Sequence, residues 1–318
     1  MSSAPKRTAQ HNVGLAFNWQ YDADFIQMLD RSLHHAGLTS YVVGPHNLAQ
    51  TTLEVHNGER RFDWFLDRAS DEDRHFLQLN HVLTAHGTRI LNAHDEYLRA
   101  SDKAEIHRAL VSSGLQLPLT LILPAYERDP NFDSRLIESF AKPFVVKPAK
   151  GGGGRGVLTG ATKAEDVLTT RTKHRDQRYL IQQSIEPQIL GERRAWFRVY
   201  YVCGTTIACW WDDRTHRYAS FVPSDAGLIN VGELERIVRI VAEVAQLDFF
   251  STEIALDKNG RYVVIDYVNT PCDMRPQSKH FNGVPDPIIH QIVAAITGHL
   301  KTQIASATSD AGDAALWP

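Results

Sequence analysis

Two acids and an amide stand close to one turn near the end of the chain. Glu253 lies in one apolar run, and Asp266 and Asn269 lie at the end of the next. Asp257-Lys258-Asn259-Gly260 falls between the runs and predicts an antiparallel hairpin, so residues near Glu253 can oppose residues near Asp266. Two carboxylates and an amide oxygen at one strand end suit a hard cation. Magnesium takes few protein carboxylates and fills its other positions with phosphate oxygens and water. A solvated hairpin with ordinary edge charges is the plainer alternative. Asp266 argues against it, because Val263-Val264-Ile265 and Val268 flank it and a carboxylate in an apolar run needs a partner.

A second group of residues suits polyphosphate. Phe144-Val145-Val146 favours a strand, fenced by Pro143 and Pro148, and Lys147 ends it. Gly151, Gly152, Gly153 and Gly154 follow, then Arg155 and Gly156. Glycines lack Cβ atoms, so their backbone N–H groups can approach an anion closely. The stretch fits G-x-G-x-x-G, yet a dinucleotide fingerprint runs into a helix. Here Val157-Leu158-Thr159-Gly160 reads as another strand, and no Gly-Lys-Ser/Thr closes a P-loop. What remains is strand, lysine, loop, strand: a flap, with a plain glycine linker as the alternative. Arginines form a third group. Arg198 interrupts the apolar and aromatic run Trp196-Phe197-Arg198-Val199-Tyr200, and Arg275 follows soon after Asn269. Their forks suit phosphate or carboxylate oxygens, and a paired structural arginine is the alternative for Arg198. Arg214 and His216, in a predicted turn, and Lys279 are further polar groups for a substrate, with a solvated loop as the other reading of the turn.

These residues need elements to hold them. Strands over 12–19, 40–44 and 88–92 alternate with helices over 23–36 and 71–86, which predicts a small parallel α/β unit. Within it, 51–56 and 61–66 flank Asn57-Gly58 and read as a hairpin. Ser101-Asp102 caps a helix over 103–113. Strands over 117–124, 144–148 and 179–185, a short helix over 133–140 and a polar helix over 163–172 follow. A hairpin spans 196–211. The strongest helical stripe is Leu234, Ile237, Val238, Val241 and Val244, over 231–245. A helix over 287–300 closes the chain, with 305–315 expected to fray.

Composition narrows the function. The chain has 318 residues, enough for two or three units, with 43% hydrophobic and 22% charged residues, which is a globular balance. A net charge of −3 gives no reason to expect a nucleic-acid partner. Three cysteines without Cys-x-x-Cys spacing argue against a disulfide framework and fit a reducing, cytoplasmic setting. No apolar run approaches a membrane span, and residues 1–7 carry no apolar core of a signal peptide.

In order and spacing, these parts resemble the ATP-grasp superfamily, nearest its glutathione-synthetase-like and ribosomal-protein-glutamate-ligase branch. The likeness covers about residues 101–298. It implies an α+β and α/β architecture: an N-terminal α/β domain over 1–100, a lid subdomain with the glycine-rich flap over 101–186, and a core subdomain with the metal site over 187–318. It implies that Lys103, Lys147 and the flap glycines hold ATP phosphates. Adenine would lie against the strand of Gln182, Gln183 and Ile185, and Glu192 would take the ribose hydroxyls. Arg198, Lys147 and Arg275 would stabilise the transferring phosphoryl group. Glu253, Asp266 and Asn269 would bind magnesium, with manganese as an alternative ion. Two departures stand out. Gln183 occupies a position that is acidic in many relatives. Asp266-Tyr267-Val268-Asn269 is one residue longer than the usual Glu-x-Asn, so either a bulge restores the geometry or Asn269 is not a ligand. The implied activity is ADP-forming ligation of a carboxylate to an amine, with an amino acid or peptide among the substrates and a homodimer or homotetramer as the assembly. A kinase acting on a small-molecule hydroxyl and a non-catalytic ATP-binding module are the rival readings.

Overall fold

A computed structural model describes residues 8–314; the leaderless reading of residues 1–7 and the frayed end at Ala315 lie outside it. The chain divides into two compact units: Met1–His94 with Val202–Ile207 and Pro271–Pro318, and Asp95–Tyr201 with Ala208–Thr270.

The first unit is built on a parallel sheet. Its strands are β1 (Ala9–Phe17), β2 (Ser40–Val43), β3 (Arg60–Arg68) and β4 (Arg89–Leu91), in the order β2-β1-β3-β4. Helices α1 (Ala23–His35), α2 (Leu48–His56) and α3 (His75–Ala85) connect them. Phe62, Phe65, Phe76, Leu79 and Leu83 form the centre of one core. Gly14 in β1 faces Phe65 in β3, and a Cβ there would come within 2.3 Å of that ring. The hairpin expected around Asn57-Gly58 is not formed. Leu48, Thr51 and Val55 are buried at helical spacing, and residues 48–56 make α2. Asn57 is its C-cap and Gly58, at φ 71°, turns the chain out of the helix and into β3, which then pairs parallel to β1. An Asn-Gly pair serves a helix end as well as a hairpin.

The second unit holds two sheets. Helices α4 (His94–Ala100) and α5 (Lys103–Val111) lead into β5 (Thr120–Leu123), β6 (Phe144–Pro148), β7 (Leu158–Ala161), α6 (Ala164–Arg171) and β8 (Tyr179–Gln183). These strands pair antiparallel in the order β5-β8-β6-β7. A small hairpin, β9 (Ile189–Leu190) and β10 (Arg193–Arg194), precedes β11 (Trp196–Val202), β12 (Thr205–Asp212) and β13 (Arg217–Ala219). Then come α7 (Val231–Ala245), β14 (Phe249–Leu256) and β15 (Tyr262–Asn269), giving a five-stranded sheet β13-β12-β11-β14-β15. The stripe on α7 packs with Ile106 and Leu110 of α5 and with Phe197, Phe250 and Tyr267 in the largest core. The closing helix α8 (Asp286–Ala314) belongs to the first unit and runs on through the stretch expected to fray.

Candidate nucleotide and metal site

In the second unit, Glu253 of β14 and Asp266 of β15 are direct partners in the antiparallel register. On the Asn269 side, two steps along β14 match three along β15; on the other, one step matches two. The strand is therefore bulged on both sides of Asp266. Bulges re-aim side chains, and here the longer Asp266-to-Asn269 interval still brings Asn269 Nδ2 within 3.0 Å of Asp266 Oδ2.

Three cations surround the acids. Lys147 in β6 is buried, and its Nζ donates to the Ile265 carbonyl at 3.2 Å and lies 3.9 Å from Asp266 Oδ1. Burial pulls the Lys147 pKa below the ordinary lysine value, and Asp266 opposes that pull. Burial would raise Asp266, but Lys103, Lys147 and Arg198 outweigh it and hold the carboxyl below its usual range. Arg198 in β11 donates from Nη2 to Glu253 Oε1 at 2.7 Å, while Trp196, two residues earlier on the same face, donates from Nε1 to Oε2 at 3.1 Å. Its guanidinium lies 4.5 Å from the Trp211 ring centre. Burial opposes charge on Arg198, yet Glu253 overrides it and raises the pKa. Burial pushes the Cys209 thiol, behind Arg198, up to about 12, which keeps it protonated.

The buried polar atoms are not all used. Among the described residues, Asp266 Oδ1 and Arg198 Nε have no hydrogen-bond partner. Asn269 keeps its carbonyl oxygen, and each oxygen of Glu253 keeps a second lone pair. That donor set fits magnesium. It is two acids and an amide rather than a protein cage, and among the described residues no group of three His, Cys, Asp or Glu converges to hold a metal.

The flap joins β6 to β7. Lys103 is the first residue of α5, whose N-terminus Asp102 caps by accepting from Ala104 N and Glu105 N. Its backbone N donates to Ala149 O at 2.7 Å and its Nζ to Gly151 O at 2.6 Å, so it sits at the flap's entrance. Gly151, Gly153 and Gly154 have φ of 106°, 61° and 71°, the region glycine favours. A Cβ at any of residues 151–154 would meet nothing described within 4 Å, so the loop backbone is open.

The other predicted residues are spread more widely. Gln182 is buried, with its side chain bonded to Thr120 and Tyr267. Gln183 exchanges side-chain bonds with the backbone of Ala141. Ile185 is half-buried beyond the end of β8, and Glu192 is exposed in the β9–β10 turn. Arg214 is exposed in the β12–β13 loop, where His216 stacks on Trp211. Arg275 and Lys279 belong to the first unit: Arg275 forks onto Asp273, and Lys279 pairs with Asp24 at 2.6 Å. Thus Lys147, Arg198, Glu253, Asp266 and Asn269 come together, with Lys103 at the flap. Sequence reasoning passed over Trp196, Tyr267 and His107. The alternation of Trp196 with Arg198 was the available signal for the first.

The sequence matches no protein-family model and no curated protein. Solved structures do match the fold. The ATP-grasp ligase PsnB, complexed with a minimal precursor, Mg and ADP, aligns with TM-score 0.62 at 16% identity, over 91% of this chain and 98% of that one. A RimK-domain ATP-grasp protein from Sphaerobacter thermophilus gives 0.63 at 18% identity, over 91% and 98%. D-alanine–D-alanine ligase from Bacillus anthracis, complexed with ATP, gives 0.64 at 13% identity, over 94% and 99%. With its four-stranded antiparallel sheet, its five-stranded sheet and its parallel-sheet first unit, this chain has the ATP-grasp fold.

Proposed function

We propose that the protein is an ATP- and magnesium-dependent ligase that joins a carboxylate to an amine. The observation that carries this reading is Asp266: a carboxylate set between two bulges, beside Asn269 and Lys147, with one oxygen free of hydrogen bonds. Solved proteins of this fold include ligases complexed with Mg and ADP or with ATP. In this reading Lys103, Lys147 and the flap backbone N–H groups hold the phosphates, and β8 with Ile185 borders the adenine. Glu253, Asp266 and Asn269 hold magnesium, which supplies positive charge to the polyphosphate. Arg198, already fixed by Glu253 and Trp211, turns its unused donor toward the transferring group. Glu192 is the ribose acceptor.

The chemistry then follows from positioning and charge. An oxygen of the substrate carboxylate attacks the γ-phosphorus, the β–γ bridge breaks and ADP leaves. The amine nitrogen attacks the acyl carbon of the acylphosphate, inorganic phosphate leaves, and the surplus proton passes to solvent. A closed flap keeps water from the acylphosphate. The substrate class is an amino acid or short peptide.

The test is a panel of amino acids and peptides with ATP and magnesium. ADP release that needs both an acid and an amine, and a hydroxamate when hydroxylamine replaces the amine, are the expected results. A phosphorylated hydroxyl product formed with no amine would assign a kinase instead, and binding of MgATP with no product from any panel member would assign a sensor.

A further inference from the structure

One buried polar cluster lies beside the groups assigned above, and the hydroxyl at its centre has been given no role among them. Tyr267 follows Asp266 in β15, and its side chain is fully buried. Its hydroxyl lies 2.9 Å from Gln182 Nε2 of β8 and 2.6 Å from His107 Nδ1 of α5. Gln182 Nε2 also donates to Thr120 Oγ1 of β5 at 3.2 Å. The phenol oxygen accepts from the Gln182 amide, and Thr120 is a further partner of the hydroxyl. In the His107 tautomer with its proton on Nε2, the phenol donates to Nδ1 of a neutral imidazole. Burial first, and the Lys147 charge second, favour that neutral form.

The place of this oxygen is what matters. His107 stands four residues after Lys103 and so lies on the same face of α5, one turn on. The Tyr267 ring centre lies 5.7 Å from Lys147 Nζ. Because β15 is bulged on both sides of Asp266, its ladder to β14 does not by itself fix that stretch. Thr252 Oγ1 ties the Asp266 carbonyl to β14 at 2.9 Å, and the Tyr267 hydroxyl ties the next residue to two further elements. We propose that Tyr267 is the positioning residue of the nucleotide site: its hydroxyl locks together the strand of Asp266, strand β8 and the helix that begins with Lys103. The inference rests on the ligase reading above. Tyr267 touches no substrate; it acts through Asp266, Lys103 and Lys147, where displacement by about an ångström is costly.

The test is MgATP affinity by calorimetry, with melting temperature measured on the same samples. Tyr267→Phe keeps the ring and removes the hydroxyl. His107→Leu removes the acceptor, and His107→Asn keeps an acceptor near the place of Nδ1. Tyr267→Phe and His107→Leu should each weaken MgATP about tenfold, the scale of one buried hydrogen bond. The double variant should be no weaker than either single one, and His107→Asn should stay within about threefold of wild type. If the melting temperature falls while affinity stays within about twofold, the cluster is only structural and the inference is overturned. His107→Asn as weak as His107→Leu would overturn it as well. Should Tyr267→Phe fail to fold, the two His107 variants decide between the same outcomes. Wild-type protein that binds no MgATP would overturn the ligase reading itself, and this inference with it.

Discussion

Each unit buries an arginine against an acid, and the two pairs differ in how the acid is gripped. In the first unit Arg68 grips both oxygens of Asp22, at 3.0 and 2.7 Å, and also donates to Cys272 O at 2.8 Å. Both side chains are 3% exposed, and both Asp22 oxygens accept from the one guanidinium. In the second unit Arg198 grips Glu253 through one nitrogen, and Asp266 faces Lys147 at 3.9 Å, too long for a hydrogen bond. Arg198 Nε and Asp266 Oδ1 remain unused among the described residues. Buried charge is costly unless paired. An acid gripped at both oxygens by one guanidinium belongs to the scaffold, and a buried acid oxygen held among cations without a hydrogen bond is shaped for a further cation.

The largest expected effects test that division directly. Lys147→Ala and Asp266→Asn should each lower nucleotide turnover by about 10²–10³-fold, the scale of losing one preorganised electrostatic group. Their melting temperatures should fall by only a few degrees. Arg68→Met should do the reverse. It strands the Asp22 carboxylate in the interior, which costs about 3–5 kcal/mol and lowers the melting temperature by roughly 10 °C. Turnover per folded molecule should stay near wild type. Turnover assays beside thermal denaturation decide it. If Arg68→Met abolished turnover in fully folded protein, or Asp266→Asn kept it, the distinction between closed and open charge clusters would collapse.

Glycines sharpen the same contrast at a smaller scale. Gly14 is a packing glycine, since a Cβ there would meet Phe65 at 2.3 Å and Phe62 at 3.2 Å in the core of the first unit. Gly14→Ala should cost about 1–3 kcal/mol by overpacking and leave MgATP affinity unchanged. Gly152 has open space around it and no positive φ. Gly152→Ala should stay within about 0.5 kcal/mol of wild type in stability while weakening MgATP. Chemical denaturation and calorimetry on both variants separate the two roles. A stability loss at Gly152 to match Gly14 would mean that the flap is packed rather than open.

How much of this could be read beforehand depended on whether the signal was local. Helix α7 matches its predicted span because one apolar stripe dictates it, and the β14–β15 hairpin was legible because Asp257 to Gly260 allows little but a turn. That same turn length put Glu253 opposite Asp266. The partner of Arg198 was not legible, because β11 lies beside β14, a neighbour more than forty residues on in the chain. Nor was the Tyr267–His107–Gln182 contact, which joins three elements far apart in sequence. The Asn57-Gly58 pair fits a hairpin turn on local chemistry alone, and only the buried spacing of Leu48, Thr51 and Val55 makes it a helix end.

The smallest expected effect concerns two acids displaced in opposite directions. Asp71, just after β3 in the first unit, is pushed up to about 6, chiefly by the atoms packed around it, with Arg68 opposing and Glu72 adding. Its accessible surface is nonetheless open to water, so solvent screens much of the energy such a shift would carry. Asp266 in the second unit is held below its ordinary range by cations. The signs follow from proton counts. Between about pH 4 and 6 the folded chain keeps a proton on Asp71 that the unfolded chain has lost, so this group costs stability as pH rises through that window, with the full cost above it. Asp71→Asn removes the cost. At pH 7 the variant should melt about 1–2 °C above wild type, and the difference should vanish at about pH 3, below the unfolded carboxylate pKa, where both states of the wild-type chain hold the proton. Asp266 works the other way: its charged form stabilises the fold above the unfolded carboxylate pKa, and that contribution is lost as pH falls through its depressed value. The advantage of Asp266→Asn over wild type should therefore be negative at pH 7 and shrink in acid. Melting curves of both variants and wild type from pH 3 to 8 would show two difference profiles of opposite sign. Profiles of the same sign would mean that the cations around Asp266 do not outweigh its burial, and that its free oxygen is a desolvated acid rather than a place kept for a cation.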